Sequence, residues 1–265
     1  MSANTLKVVI PMAGFGTRLR PQTWSRPKQL FSLAGRSALS HVLDTLDTLP
    51  EGMEVEYIFI IGYLGEKTKA YMDRVYPDLK VTYVVQDEMR GQSHAIYLAK
   101  EYLSGPMLMV FADTLIETDL SFLAQEEHDI VGWVKPVPDP RRFGVAQVDE
   151  AGNVTRLIEK PRDMSNNLAV VGFYYFKESE ELIQAIETQI EKDIHLNSEF
   201  FLADAINIML ENGATMRTEE ITIWLDAGTP DAVLETNQFL LENGRDNTDD
   251  AQQREGVCIV PPVFI

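Results

Sequence analysis

Cysteine is nearly absent from this chain: Cys258 is the single thiol in 265 residues. One thiol excludes an intramolecular disulfide framework and any cysteine-based zinc cluster, and it fits a reducing compartment. Long apolar runs are missing as well. No stretch approaches the ~18 apolar residues that span a bilayer, and the opening Met1-Ser-Ala-Asn-Thr-Leu-Lys7 has no apolar signal core. A soluble, cytoplasmic protein is the expectation. Positive charge is the third scarcity. Lys and Arg number 23 against 41 Asp and Glu, a formal charge of −18. Such a field repels phosphate backbones at long range, which argues against sequence-independent binding of nucleic acid or an anionic membrane. Any anionic substrate must therefore be met by a local cluster of cations.

What is present is a normal globular composition, 45% hydrophobic, with length for one large domain or two small ones. In the first half, apolar β-rich runs alternate with helical periodicity. Residues 6–10, 55–61, 81–85 and 107–111 read as strands, while Leu39, Val42, Leu43 and Leu46 share one helical face and Ala95, Leu98, Ala99 and Tyr102 another. Helical crossovers join parallel strands, so the predicted fold is α/β, a doubly wound, mostly parallel, Rossmann-like sheet that binds ligands at its strand carboxyl ends. From about Asp129 to Phe176 short strands dominate (131–134, 145–148, 154–159 and 170–176), which predicts an inserted antiparallel or mixed section. Helical patterns return around Leu182 and again from Leu202 to Met209, followed by a strand at 221–225. Thr229 then stands as N-cap before Pro230 at the first position of a helix running to about Leu241.

The scarce cations gather directly after the first strand, in Pro11-Met-Ala-Gly14-Phe-Gly16-Thr17-Arg18-Leu-Arg20-Pro21-Gln-Thr23-Trp-Ser-Arg26-Pro27-Lys28. Glycines let the backbone approach a ligand closely and let successive N–H groups form an anion-binding concavity. Arg18, Arg20, Arg26 and Lys28 supply the local positive charge. A dinucleotide fingerprint would need glycine at Leu19 and an acidic residue after the second strand, where Ile61-Gly-Tyr63 stands; a P-loop needs a Gly-Lys pair, which the chain lacks. Asp113 and Asp226 each follow an apolar strand, where a buried carboxylate is costly without a cation or hydrogen bonds.

The loop resembles the signature of the sugar-1-phosphate nucleotidylyltransferases, in which Gly-x-Gly-Thr-Arg precedes Leu-x-Pro-x-Thr and a Pro-Lys pair. The resemblance extends to about Leu241. Gln86 with Gly91-Gln-Ser-His94-Ala95 resembles the base-recognition segment. Asp113 resembles the metal aspartate of a Gly-Asp-Asn motif, although Ala112 and Thr114 depart from its flanks. Phe143-Gly144-Val145, Glu159-Lys160-Pro161 and Ala169-Val-Val171-Gly172 resemble sugar and phosphate contacts, and Trp224-Leu-Asp226 a second metal motif. By this resemblance Arg18, Lys28 and Asp113 are catalytic. Ala13, Gly14, Gly16, Thr17, Gln86 and Gly91 hold the nucleotide, and Gly144, Glu159, Lys160, Val171 and Gly172 hold the sugar phosphate. Asp113 and Asp226 bind Mg²⁺.

The implied partners are a nucleoside triphosphate and a sugar 1-phosphate, with NDP-sugar and pyrophosphate as products. Ala13 and the Gly-x-x-His-Ala form resemble the uridylyltransferase branches, while Lys28-Gln29-Leu30 resembles the thymidylyltransferases, so UTP or dTTP is favoured, with glucose 1-phosphate as the sugar the resemblance implies. The alternative is an inactive regulatory or scaffold subunit of the same fold. The expected organisation is a catalytic domain over 1–243, a polar linker over 244–256 and an apolar segment over 257–265. That segment resembles the first coil of a left-handed β-helix, which implies a longer natural chain or a tail packed on a neighbouring subunit of a homo-oligomer.

Overall fold

The structure is a computed structural model, and it describes residues 5–244. The first strand shows why the sheet is internal. In β1 (Leu6–Pro11), Leu6, Val8 and Ile10 point into one apolar cluster and Val9 into another, all fully buried. A run that is apolar on both faces needs cover on both. The polar exception is Lys7, which is ion-paired with Glu56, its in-register neighbour on β4 (Val55–Ile61).

Between β1 and β4 lie a short hairpin, β2 (Ser32–Leu33) with β3 (Arg36–Ser37), and helix α1 (Ala38–Thr45), capped by Ser37 Oγ accepting from the Ser40 amide. Helix α2 (Gly65–Val75), strand β5 (Val81–Val85), helix α3 (Gln92–Leu98) and strand β6 (Met107–Val110) follow. Strands β5, β4, β1 and β6 are adjacent and parallel. The chain winds outward from β1 to β5, then crosses back to β6 on the other side of β1. That reversal opens a crevice at the carboxyl ends of β1 and β6, where such sheets bind ligands.

The second half extends the same sheet. After β7 (Thr114–Ile116) come β8 (Ile130–Pro136), β9 (Gly144–Val148), β10 (Val154–Glu159) and β11 (Leu168–Phe176), of which β11 pairs antiparallel with β6, β8 and β9. Helices α4 (Ser179–Glu191) and α5 (Leu202–Glu211) pack with α3 on one face. On the other lie α1, α2 and α6 (Pro230–Glu242), which starts as its sequence demands, with Thr229 Oγ1 accepting from the Ala232 amide. The doubly wound sheet with an antiparallel section is thus present. The β-helix coil, most of the linker and Cys258 lie outside the described residues.

Two expectations need correction, and one helix lies where none is predicted. The strand expected over 221–225 is two: β12 (Met216–Glu220) pairs parallel with β8, and β13 (Trp224–Asp226) pairs with β7. Helix α2 carries too little apolar periodicity to be seen; among its large apolar residues only Met72 is buried. The buried face after Gln92 is Ala95, Ile96, Ala99 and Leu103, while Leu98 and Tyr102 are exposed, because α3 ends at Leu98 and tightens into a 3-10 turn.

Candidate active site

Two adjoining cavities of about 420 and 300 Å³ lie at the carboxyl ends of the strands, meeting along Arg18, Gln92, Phe111, Glu199 and Phe201. Every residue given a catalytic, nucleotide, sugar-phosphate or metal role by the resemblance lines one or the other. Ala13, Gly14, Gly16, Thr17, Lys28, Gln86 and Gly91 line the first lobe; Asp113, Gly144, Glu159, Lys160, Val171, Gly172 and Asp226 line the second; Arg18 lines both. Of the four cations after β1, only Arg18 and Lys28 reach these lobes. Arg26 faces another cavity and Arg20 is exposed away from both.

The first lobe is built by backbone. Gly16 sits at φ +61, and a Cβ there would meet Thr23 Cγ2 at 2.9 Å. Thr23 in turn donates from Oγ1 to the Gly16 carbonyl at 2.8 Å, which fixes the loop's curvature. Gly14 is exposed with open space around its Cα. Gly91 needs its glycine for another reason: at φ +98, a Cβ would lie 2.5 Å from the Phe200 carbonyl oxygen. The buried Gln86 amide nitrogen donates to the Gly91 carbonyl at 3.3 Å and lies 3.4 Å from His94 Nδ1. Burial, with Arg90 adding, pushes the His94 imidazole below its ordinary range, against a smaller pull from Glu88.

At the junction Lys28 Nζ donates to Asp113 Oδ2 at 2.5 Å. Burial pushes the Asp113 carboxyl up, but Lys28 and then Arg18 outweigh it and hold the group below the usual carboxylate range. Asp226 goes the other way, raised by burial and by the Asp113 carboxylate. Their convergence is visible at Gly228, where a Cβ would stand 2.9 Å from Asp226 Oδ1 and 3.2 Å from Asp113 Oδ2. The ladder of β7 with β13 places Thr114 opposite Asp226 and so fixes the two aspartates as neighbours. The Ala227 amide also donates to the Asp113 carbonyl at 3.0 Å, and Gly228 N to Asp226 Oδ1 at 2.8 Å.

Among the described residues no group of three His, Cys, Asp or Glu side chains could hold a metal alone. Two converging carboxylates, one of them destabilised by the other, nevertheless suit Mg²⁺, which takes one or two carboxylates together with substrate phosphates and retained waters.

In the second lobe Glu159 is raised by burial, against Lys160, with Asp204 and Glu199 adding to the rise. Lys160 holds a left-handed φ of 47, its Nζ 3.8 Å from Glu159 Oε1 and 4.4 Å from the centre of the Phe201 ring. Gly172, at φ +81, faces Phe111 Cδ2 so closely that a Cβ would lie 2.1 Å away. Trp224 packs edge-on against Phe143, 5.0 Å between centroids, and its buried indole N–H has no partner among the described residues. A donor of that kind can be satisfied by a ligand.

Phe111, Glu199 and Phe201, which line both lobes, were not legible in the sequence. Glu199 and Phe201 follow a turn at Asn197 and Ser198, whose left-handed φ values of 52 and 63 reverse the chain between α4 and α5. This turn is tied to the first lobe by Phe200 N donating to the Arg90 carbonyl at 2.8 Å and Ser93 N donating to the Phe200 carbonyl at 3.1 Å. The Asn-Ser pair was the available signal, since such residues tolerate positive φ.

Known proteins bear on this geometry. A sequence model of the family described as nucleotidyl transferase matches residues 7–243. The chain is 33% identical over 246 residues to the low-salt glycan biosynthesis nucleotidyltransferase Agl11 of Haloferax volcanii, covering 90% of this chain and 67% of that one. It is 28% identical to the UTP–glucose-1-phosphate uridylyltransferase AglF of the same organism, covering 89% and 97%. Other relatives are longer, and the chain spans 60% of the length of one of them. In fold it resembles a UDP-glucose pyrophosphorylase solved with UDP-glucose, at a TM-score of 0.74 and 20% identity, over 90% of this chain and 99% of that one.

Proposed function

The chain belongs to the nucleotidyl transferase family, and from that premise we propose that it is a sugar-1-phosphate nucleotidylyltransferase. The carrying observation is the pair of lobes that meet at Arg18, with Lys28 and Asp113 paired where they join. One lobe offers backbone and cations to a triphosphate, the other offers carboxylate, lysine and aromatic groups to a phosphorylated sugar. UTP and glucose 1-phosphate are the favoured pair, supported by Ala13, by the Gly-x-x-His-Ala segment and by the likeness to AglF; dTTP is the other candidate.

In the reaction, a phosphate oxygen of the sugar 1-phosphate forms a bond to the α-phosphorus. The bond from that phosphorus to the bridging oxygen of the β-phosphate breaks, and pyrophosphate leaves with its electron pair. No nucleophilic side chain is required. Positioning and charge neutralisation supply the rate. The loop 14–18 holds the triphosphate, Arg18 stabilises the departing pyrophosphate, Lys28 neutralises charge at the α-phosphate, and Lys160 holds the sugar phosphate. Asp113 and Asp226 would hold Mg²⁺, which when bound supplies a Lewis acid for the phosphate oxygens. We also keep the organisation of 1–243 as catalytic domain, with linker and apolar segment after it; the family match to 7–243 supports the first part.

A panel of nucleoside triphosphates and sugar 1-phosphates, assayed for pyrophosphate release, tests the proposal. UTP with glucose 1-phosphate should rank first or second. Turnover within a few-fold of the parent in Lys28→Ala or Asp226→Ala would refute the assigned roles, and no release with any pair from a folded protein would favour the inactive-subunit alternative.

A further inference from the structure

A separate cavity of about 630 Å³ lies between the β2–β3 hairpin, α1 and α2, and shares no lining residue with the two lobes. Its size is that of a small-molecule site. Its chemistry is unusual for this chain. Arg26, Arg36, Lys67 and Arg74 line it and no acidic residue among the described ones does, although carboxylates outnumber cations 41 to 23 overall. Arg36 is neutralised by a bidentate pair with Asp44, at 2.6 and 2.8 Å. Among the described residues, no ion pair engages the other three; Lys67 Nζ donates to the Ser25 carbonyl at 2.6 Å and Arg74 lies over the Tyr71 ring. Hydroxyls complete the lining: Ser37, Ser40 and Tyr71 are hydrogen-bonded to one another at 2.8–3.0 Å, with the two serines buried. Cations with hydroxyls and no carboxylate are what a phosphoryl group requires.

The cavity is also wired to the catalytic loop. Arg26 stands two residues before Lys28 and Leu30 two after, and both line it. The same stretch is fastened to α2 and its N-terminal turn: Tyr63 Oη donates to the Trp24 carbonyl at 3.0 Å, and Gln29 Nε2 donates to Thr68 Oγ1 at 2.8 Å. A ligand bridging Arg26 on the loop to Lys67 and Arg74 on α2 would restrain the segment that presents Lys28.

We infer that this cavity binds a small phosphorylated or oligophosphate anion, distinct from the substrates in the two lobes, and that its occupancy stiffens the loop bearing Lys28. The test uses the full chain at low salt, titrated calorimetrically with pyrophosphate and, separately, with glucose 6-phosphate. A saturable site is expected that Arg74→Glu weakens about tenfold or more, the loss of one charge-assisted contact, that Arg74→Lys largely restores, and that Arg18→Ala leaves within about twofold. Whichever probe binds more tightly identifies the source as inorganic or sugar-borne. Amide exchange over 24–31 should slow on saturation in the parent and not in Arg74→Glu. Arg74 is exposed, so its variants should fold; Lys67→Met provides a second. If every saturable site responds to Arg18→Ala and none to Arg74→Glu, or neither probe saturates, the site does not exist. Unchanged exchange over 24–31 with the site filled would overturn the link to the loop.

Discussion

Replacing Gly172 by alanine would separate a glycine required by the protein from one required by its ligand. The backbone there holds φ +81, and the added Cβ would lie 2.1 Å from Phe111 Cδ2, with Cε2 at 2.7 Å. Ordinary carbon contacts are ~3.5–4.0 Å, so the ring or the strand must shift by about 1.5 Å. The left-handed conformation costs an L-residue ~1–2 kcal/mol, and overpacking adds ~1–3 kcal/mol, for a loss of about 2–5 kcal/mol. Moving the ring away is hindered because Phe111 N donates to the Gly172 carbonyl at 3.0 Å. Phe111 lines both lobes, so the shift should also disturb catalysis. Gly14→Ala is the contrast: nothing lies within 4 Å of its Cβ, and the stability change should stay within ~0.5 kcal/mol, while KM for the triphosphate rises because the methyl occupies ligand space. Urea unfolding with steady-state kinetics on both variants decides. A Gly172→Ala protein within ~0.5 kcal/mol of the parent would refute the argument, as would a Gly14→Ala protein that is the less stable of the two.

Lys28→Met should lower turnover by about 100-fold or more while leaving Asp113 without its partner, so the Asp113 carboxyl should titrate higher, readable by carboxyl-carbon NMR; an unmoved resonance would place the lysine elsewhere. Asp226 is raised by burial and Asp113, so its ionised form opposes folding as pH rises above the ordinary carboxylate range. Asp226→Asn should therefore leave the metal-free protein at least as stable at neutral pH, yet remove turnover; millimolar Mg²⁺ is expected to raise the melting temperature of the parent and not of the variant, and an equal rise in both, or none in the parent, would count against the site. Glu126 is held down to about 2 from 4.5: burial opposes, but Arg217 and His128 prevail. Between those pH values the folded chain binds fewer protons than the unfolded one, so stability is present above about pH 4.5 and is lost as pH falls toward 2. Glu126→Gln should flatten that part of the acid limb in pH-dependent unfolding, and an unaltered limb would mean the pair with Arg217 contributes little.

The legible parts of the fold are those where burial imposes a period. Strands β1, β4 and β5 could be read because they carry continuous β-prone runs, and α6 because Thr229 and Pro230 mark its start. Helix α2 and strand β12 could not. Each buries little apolar surface, α2 lying against the sheet chiefly through Met72 and β12 pairing with β8 and burying Met216 alone of its five residues, so tertiary contacts decide them over any local pattern. The site divides likewise. Gly14 to Lys28 form one contiguous motif, whereas Glu199 reaches the lobes through a turn stitched to Arg90 and Ser93 by backbone hydrogen bonds, and hydrogen bonds made by peptide groups leave no mark on residue identity. Arg26 stands in the same run of cations as Arg18 and Lys28, but proximity in sequence says nothing of direction; two residues along an irregular loop suffice to face a different cavity.

The ribbon of β7 and β13 has a mechanical meaning. Asp113 and Asp226 are spaced by peptide hydrogen bonds, and the ribbon is continuous with α6, whose Asn237 accepts from the Ala34 amide beside the β2–β3 hairpin at 2.7 Å. The same ribbon is also tied to β11, where Thr114 Oγ1 donates to the Val171 carbonyl at 3.0 Å. Glu159 and Lys160 stand at the end of β10, the outermost strand of the opposite half. The aspartate pair is anchored on both sides, to Lys28 by an ion pair and to β11 through Thr114. The ribbon works as a brace: the peptide hydrogen bonds that space the two carboxylates belong to a strand pair fastened to the hairpin side through α6 and to the antiparallel side through β11.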